Sequence, residues 1–477
     1  MHEIITISVS HRANHLATQF FNCQEASLYD NKNDSEKSIF LNPIVDRLSK
    51  TVSYYPRALL WDAKTGTGSL GKHQYFNEDD YYNFDDGDNN NVEKNESSDI
   101  MITHPRINRS EYQMALDSGS KLPVLTPSIT RYWSDYSKLI YQPKSLNTLR
   151  NWYHDVEEPN LPDYENLGER KFNDYIIGYD EFNDNYSMDF FDDNFHYQLE
   201  QCDSLQGFQM ITDLDSAWGG FSTALLLELR NELPKSVVYT WGLNEDDPLT
   251  GTVTKDQMIT RANLHKLSNK LRASINLKQE SDLFIPLYEP PNTSNWELSG
   301  MLCKIFDTVN SLFSQSNMDQ RRSMDYLAEC IKDGDEVRNI VSNITSTDCT
   351  DLQYSFYPRV KPLKTRRNDD SLHIFSKASI TRTMEINHKS NDLKELFTYP
   401  YSPSDTIPIA FRKVSEFTVD LESTEVCRDV YQQWHDIVSK YFRHDSDREE
   451  LKDELATVSS NYEFGWYDDE DSGDDDY

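Results

Sequence analysis

The chain has 477 residues, and its 47 Lys and Arg against 81 Asp and Glu leave a net charge of −34. That charge repels bare nucleic acid and anionic lipid surfaces, so neither is expected as a direct partner. The length is enough to bury a large core, in about two or three domains.

The first element is an apolar strand, EIITISV from Glu3, after which His11 and Asn14 open a helix. For both residues a capping or core role and a ligand contact fit the pattern equally well. ALLWD, Ala58 to Asp62, reads as a second strand. Gly66 to Lys72, GTGSLGK, then satisfies GxxxxGK, and a P-loop would aim backbone N–H groups and Lys72 at a triphosphate. His73 stands where Ser or Thr should hold magnesium, and the chain runs into a Tyr-, Asn- and Asp-rich stretch instead of a helix. An anion site there would lack its dipole. A glycine-rich hairpin is the better account, with a P-loop ATPase at Gly66–Lys72 as an alternative. Residues 75–99 and the tail 467–477 are acidic and short of aliphatic side chains, so neither offsets the entropy of folding and both read as disordered. Thr126 to Ile140 reads as more ordered, and Asn151 to Pro162 as a connector.

Cys202 to Leu226 is the most informative stretch. LQGFQMIT suits a buried strand, DSAWGG a turn, and FSTALLLELRNEL places Phe221, Leu225, Leu226 and Leu229 at helical spacing. SVVYTWGL follows as another strand, which completes a β-α-β unit and points to a mainly parallel sheet. In such units a glycine-rich turn folds its N–H groups around a phosphate at the positive end of the next helix. Here the turn offers Gly219 and Gly220 alone. Asp215 and Ser216 read as caps of a helix beginning near Gly219, and Trp218 as a packed aromatic rather than a platform for a base. Asn317 and Asp319 read as a helix start. Ser371 to Met384 alternates like a strand, and IPIAFRKV, 407–414, is a further candidate strand. Val426 to Phe442 is a helix with Val426, Val430, Trp434, Ile437, Val438 and Tyr441 on one face.

The six cysteines form no CxxC pair and match no histidine spacing, so reduced core positions suit them better than zinc or a disulfide framework. The start lacks both a secretory apolar core and an Arg-rich presequence, and no apolar run approaches about 20 residues. No transmembrane segment is expected.

The stretch around LQGF resembles the tubulin/FtsZ superfamily, whose tubulin members carry LQGF, a short run and then GGGTGSG. Leu205 to Phe208 match, while the glycine signature reads Asp215-Ser216-Ala217-Trp218-Gly219-Gly220-Phe221, so that Gly219 alone falls on a signature glycine. EIITISVSHRANHLATQFF is similar to the tubulin opening EIVHIQAGQCGNQIGAKFW, with Ser10 and Ala13 in place of the two loop glycines. YPRALLWDAKTG is similar to PRAVFVDLEPT: Asp62 matches the acidic residue of the second loop, and Lys64 replaces its glutamate. SQSNMDQRR resembles the tubulin loop GQLNADLRK that touches the neighbouring subunit's nucleotide, with Asn317 and Asp319 matching. Arg322 stands where one tubulin class has its hydrolytic glutamate. With the length, the acidic inserts and the lost glycines, the whole resembles the Misato family, tubulin-like proteins implicated in mitochondrial partitioning and mitochondrial DNA inheritance.

The resemblance implies an α/β, tubulin/FtsZ-like fold: a mainly parallel sheet flanked by helices, a second α+β domain and C-terminal helices. Residues 1–65 and 166–330 would form the two parts of the nucleotide-binding-type domain, 66–165 a family insert, 331–460 the second domain with its helices, and 461–477 an acidic tail. The degenerate nucleotide site would comprise Ser10, His11, Asn14, Asp62, Asp215, Ser216, Trp218, Gly219 and Gly220, with Asn317 and Asp319 in an inter-subunit loop. One carboxylate about 4 Å from a phosphate charge costs roughly 4 kcal/mol at an effective dielectric of 20, around three decades of affinity. Lys64 and Arg322 leave no carboxylate to position water. No cofactor is expected, although GTP binding by an active, polymerising GTPase is the first alternative. The role implied is a non-enzymatic scaffold at the cytosolic side of mitochondria and in the cytoplasm, with tubulin or the cytosolic chaperonin as partners.

Overall fold

The computed structural model describes residues 2–30, 35–45, 50–70, 107–155, 161–165, 170–245, 260–290, 293–347, 356, 372–384, 393–443 and 445–464. The segments 75–99 and 467–477, expected to be disordered, and Lys72 lie outside these residues, as does Cys349.

The chain opens with β1, Glu3–Val9, buried along its whole length, and α1, His11–Leu28. Then come β2, Ala58–Asp62, and β3, Leu146–Thr148. A helix α2, Tyr175–Asn185, precedes β4, Leu205–Asp213, α3, Ala217–Glu232, β5, Val237–Glu245, α4, Arg261–Glu280, and β6, Leu283–Glu289. These strands form one six-stranded sheet in the order β6-β5-β4-β1-β2-β3, every pairing parallel. Parallel strands need helices on both faces, which is why β1, β4 and β5 read as near-continuous apolar runs. The edge strand β3 comes from the segment expected to be a family insert.

Two hydrophobic clusters divide by face. One gathers Ala13, Leu16 and Phe20 of α1 against α5, Asn295–Ser311, and α6, Met324–Lys332. The other gathers α2, α3 and α4 with two C-terminal helices, α7, Val426–Tyr441, and α8, Arg448–Asn461. Before these helices a second sheet runs β7-β10-β8-β9, from β7, Asn343–Ser346, β8, Ile374–Arg382, β9, Glu395–Thr398, and β10, Phe417–Thr424. Its fully buried Arg382 reaches α5, donating to Asp307 at 2.5 Å and to Thr308 at 2.9 Å. Residues 407–414 are not a strand: Pro408 starts a tight turn, in which Phe411 and Arg412 donate to Pro408 and Ile409, and its ring fills the space beside Gly300. No helix among the described residues is long and apolar enough to cross a membrane.

Candidate functional site

In the order β6-β5-β4-β1-β2-β3 the chain first builds outward from β1 on one side, then crosses to the other. The switch falls between β1 and β4, and in open α/β sheets the crevice at the carboxyl ends of such strands is where ligands bind. Ser10 to Arg12 leave β1 at that crevice, and Leu214 to Ser216 leave β4. Strands β2, β4, β5 and β6 each end on a carboxylate: Asp62, Asp213, Glu245 and Glu289.

Arg12 occupies the crevice. Its guanidinium donates to Asp213 at 3.0 Å, Asp215 at 2.8 Å, Glu245 at 3.1 Å and Glu289 at 2.6 Å. A cation in the first turn of a helix opposes the helix dipole, and the four carboxylates more than offset this. Burial alone would lower the Arg12 pKa, yet the surrounding carboxylates raise it well above its usual value. Burial lifts Asp213 to about 6 and Glu289 to about 7 against the pull of Arg12. For Asp215 burial pushes the same way, but Arg12, Lys270 and Lys266 together hold it down at about 2. Lys266 adds a further ion pair to Glu245, at 2.5 Å.

A second buried network centres on Asp62. It accepts from His11 at 3.1 Å, Trp133 Nε1 at 2.8 Å, Asn14 at 3.2 Å and the Ala63 amide at 2.8 Å. Burial opposes charge on both partners, yet each stabilises the other: His11 is raised and Asp62 lowered. His11 Nε2 faces the Arg131 carbonyl at 3.2 Å, and burial and the neighbouring His11 lower the pKa of His15 well below its usual value. The His11 ring stacks on His154 at 4.0 Å between centroids. His154 pairs with Asp163 at 2.9 Å, and the other oxygen of Asp163 accepts from Trp218 Nε1 at 2.9 Å. Thus the expected connector and insert carry Trp133, His154 and Asp163 into the site.

The helix after β4 starts at Ala217, two residues earlier than expected, with Ser216 as its cap accepting from the Trp218 amide at 3.3 Å. Asp215 does not cap it; its carboxylate belongs to Arg12 and to the Glu245 amide at 3.2 Å. Trp218 is a packed aromatic, 5.0 Å from Phe172 in a T-shaped contact. Gly219 and Gly220 lie within the helix, where their bare faces meet protein. A Cβ on Gly220 would lie 1.9 Å from the Tyr175 carbonyl oxygen, and one on Gly178 of α2 would lie 1.7 Å from that of Ala217. These glycines let α2 and α3 approach closely. Ser10 caps α1, accepting from the Ala13 amide at 3.0 Å, with φ 129° and ψ 160°, a conformation that glycine favours. The amides of Ala13, Trp218 and Gly219 are therefore engaged within the turns themselves.

The remaining candidates lie apart. Gly66 and Gly68 donate their amides to Ala63 and Thr65 within a turn that leads into a short 3-10 helix, so neither amide is free for a phosphate. Lys64 stands over the Tyr153 ring. Asn317 and Asp319 form an exposed turn, Asn317 Oδ1 accepting from the Asp319 amide at 3.0 Å, and the next helix starts only at Met324. That turn lies at the amino ends of the strands, since Met324 donates to Gln206 at the start of β4. Arg322 donates to the Asp319 carbonyl and lies over Tyr326. Among the described residues, no group of three or more His, Cys, Asp or Glu is arranged to hold a metal ion, and the five cysteines are free thiols. Arg12 escaped the sequence reading, although the carboxylates that end β4, β5 and β6 are visible as ITD, LNE and LYE.

Comparison with known proteins follows the same lines. A profile described as a Misato segment II tubulin-like domain matches residues 2–118, and one described as a tubulin domain matches residues 122–315. Protein DML1 of Kluyveromyces lactis is 47% identical over 99% of each chain, and Protein DML1 of Eremothecium gossypii 42% over 100% of each. Protein DML1 of Yarrowia lipolytica is 28% identical, again over 100% of both. With such identity over nearly its full length, and a parallel sheet of tubulin-like plan, the chain belongs to the tubulin-like Misato family.

Proposed function

We propose that this protein is a non-enzymatic scaffold or partner-binding protein in the partitioning of mitochondria and mitochondrial DNA, with a degenerate GTP site. The observation that supports it best is the Arg12 cluster at the β1–β4 crevice. A phosphate entering there would have to displace four carboxylates from one guanidinium and would face whatever negative charge remained. The turn amides that would replace its hydration are already bonded. Lys64 and Arg322 supply no carboxylate to orient water, so the reading extends to hydrolysis.

Attachment to the mitochondrion is proposed to be peripheral, from the cytosolic side, through a protein partner, with tubulin and the cytosolic chaperonin as the first candidates. Calorimetry of the full chain with GTP and with ATP tests the site. The expected result is no micromolar binding of either. Micromolar GTP binding abolished by Asp62→Ala would overturn the reading in favour of a GTP-binding switch, and ATP binding abolished by Lys72→Ala in favour of a P-loop.

A further inference from the structure

At the amino ends of β5 and β6, opposite the Arg12 crevice, a cavity of about 860 Å³ opens between the ends of α3 and α4 and the loop after α6. That volume lies within the range of sites that take a small molecule or a short peptide segment. Four cations line it, Arg230, Lys235, Lys278 and Lys332, with three carboxylates, Glu280, Asp282 and Glu336, so the lining has an excess of one positive charge in a chain whose net charge is −34. Two are answered locally, Arg230 by Asp282 at 2.9 Å and Lys332 by Glu336 at 2.6 Å. Lys278 is not. It is 8% exposed, and its ammonium has no hydrogen-bond or ion-pair partner among the described residues. Burial accordingly lowers its pKa. Exposed Lys235 at the rim is likewise without a partner among the described residues. Asp335, itself paired with Arg338 at 3.3 Å, acts on Lys278 without pairing with it; a buried ammonium without a direct counter-charge is costly, and a bound anion removes that cost.

The chain itself brings anions close. Arg338, between the cavity-lining Val337 and Asn339, donates to the Asn461 carbonyl at 3.0 Å, and the Ile340 amide donates to the Tyr462 hydroxyl at 3.0 Å. Phe464, the last described residue, stacks on His373. Beyond it the sequence carries seven carboxylates between Asp468 and Asp476. At about 3.5 Å per extended residue, Asp468 falls within roughly 14 Å of Phe464. We propose that this cavity is a docking site for a carboxylate-rich peptide segment, that its occupant is the chain's own residues 467–477, and that Lys278 is the central counter-charge with Lys235 at the rim.

The test uses a fluorescein-labelled peptide of sequence YDDEDSGDDDY and reads anisotropy against the full chain and a chain ending at Trp466. The shortened chain is expected to bind it at least about tenfold more tightly than the full chain, because a tethered tail competes at high effective concentration. Lys278→Gln in the shortened chain is expected to weaken binding by about tenfold, the usual effect of removing one charged hydrogen-bonding partner. Lys235→Glu, at an exposed position that leaves folding intact, is expected to weaken it as well, and thermal unfolding checks both variants. Equal binding by the full and shortened chains, still dependent on Lys278, would overturn the assignment of the tail and give the cavity to a partner's acidic segment. Binding insensitive to both lysines, or none, would overturn the site itself.

Discussion

The Nη2 of Arg12 donates to the Asp215 carboxylate at 2.8 Å, tying the first turn of α1 to the turn that opens α3 across the gap between β1 and β4. The same guanidinium also holds Asp213, Glu245 and Glu289, so one side chain joins the carboxyl ends of β4, β5 and β6.

Removing Arg12 leaves Asp213, Asp215, Glu245 and Glu289 facing one another without their shared cation. Arg12→Ala is expected to cost about 3–5 kcal/mol, as breaking a buried ion pair from one side does. Urea unfolding near pH 7.5 measures it. The cost should shrink at mildly acid pH, where Asp213 and Glu289 hold protons. A loss under about 1 kcal/mol at both pH values would show that the cluster does not depend on its cation.

Asp213 and Glu289 have pKa values of about 6 and about 7, lifted chiefly by burial from 3.8 and 4.5. A group raised on folding contributes stability that is fully present below its unfolded value and lost as the pH passes the folded one. His11 acts in the same sense, since Asp62 outweighs the effect of burial. Asp215, held at about 2, acts oppositely, and its contribution is lost only as the pH falls from 3.8 toward 2. Stability should therefore fall as the pH rises from about 4 to about 7, with His11 adding to the fall above 6.5. General repulsion in an acidic chain grows over the same range and lowers stability in the same direction, so the decisive measurement is the slope in Glu289→Gln. A flatter slope than the wild type is expected, and parallel slopes would count against the assignment.

Ser10 holds φ at 129° while its hydroxyl caps α1. At an ordinary cap, replacing Ser by Gly costs a few tenths of a kcal/mol and by Ala about 1. Here relief of backbone strain, about 1–3 kcal/mol, outweighs both the lost cap and the entropy of an unfolded glycine. Ser10→Gly is expected to stabilise by about 1 kcal/mol and Ser10→Ala to destabilise by a similar amount, both read from thermal unfolding. A destabilised glycine variant would refute the strain.

Gly220 lies in an α-helix, where alanine is intrinsically better by about 1 kcal/mol. Its Cβ would nevertheless stand 1.9 Å from the Tyr175 carbonyl oxygen, and backbone cannot yield as a flexible side chain does. Gly220→Ala is expected to lose about 1–3 kcal/mol through forced separation of α2 and α3. Gly178→Ala faces the Ala217 carbonyl across the same contact, so the double variant should lose less than the sum of the two. Strict additivity in urea unfolding would mean that the two glycines serve separate contacts.

Local patterns were legible in the sequence because they are local. The alternation and apolar runs of β1, β2, β4 and β5, and the stripe of Val430, Trp434 and Val438 on α7, need no knowledge of what they pack against. They were enough for a β-α-β unit and a mainly parallel sheet. The 407–414 segment misled because Ile407, Pro408 and Phe411 serve a packed turn while Ile409 and Val414 are exposed, and periodicity cannot separate that from a strand. The site was decided by distant meetings. Nothing beside Arg12 in the sequence singles it out, and its four acceptors lie 201, 203, 233 and 277 positions further along. Whether a buried charge is stabilised depends on which groups the fold brings within about 3 Å, and the tertiary structure alone sets that. Lost glycines were visible in the sequence; that an internal salt cluster fills the crevice, and that Gly219 and Gly220 are kept for helix packing, followed only from the fold.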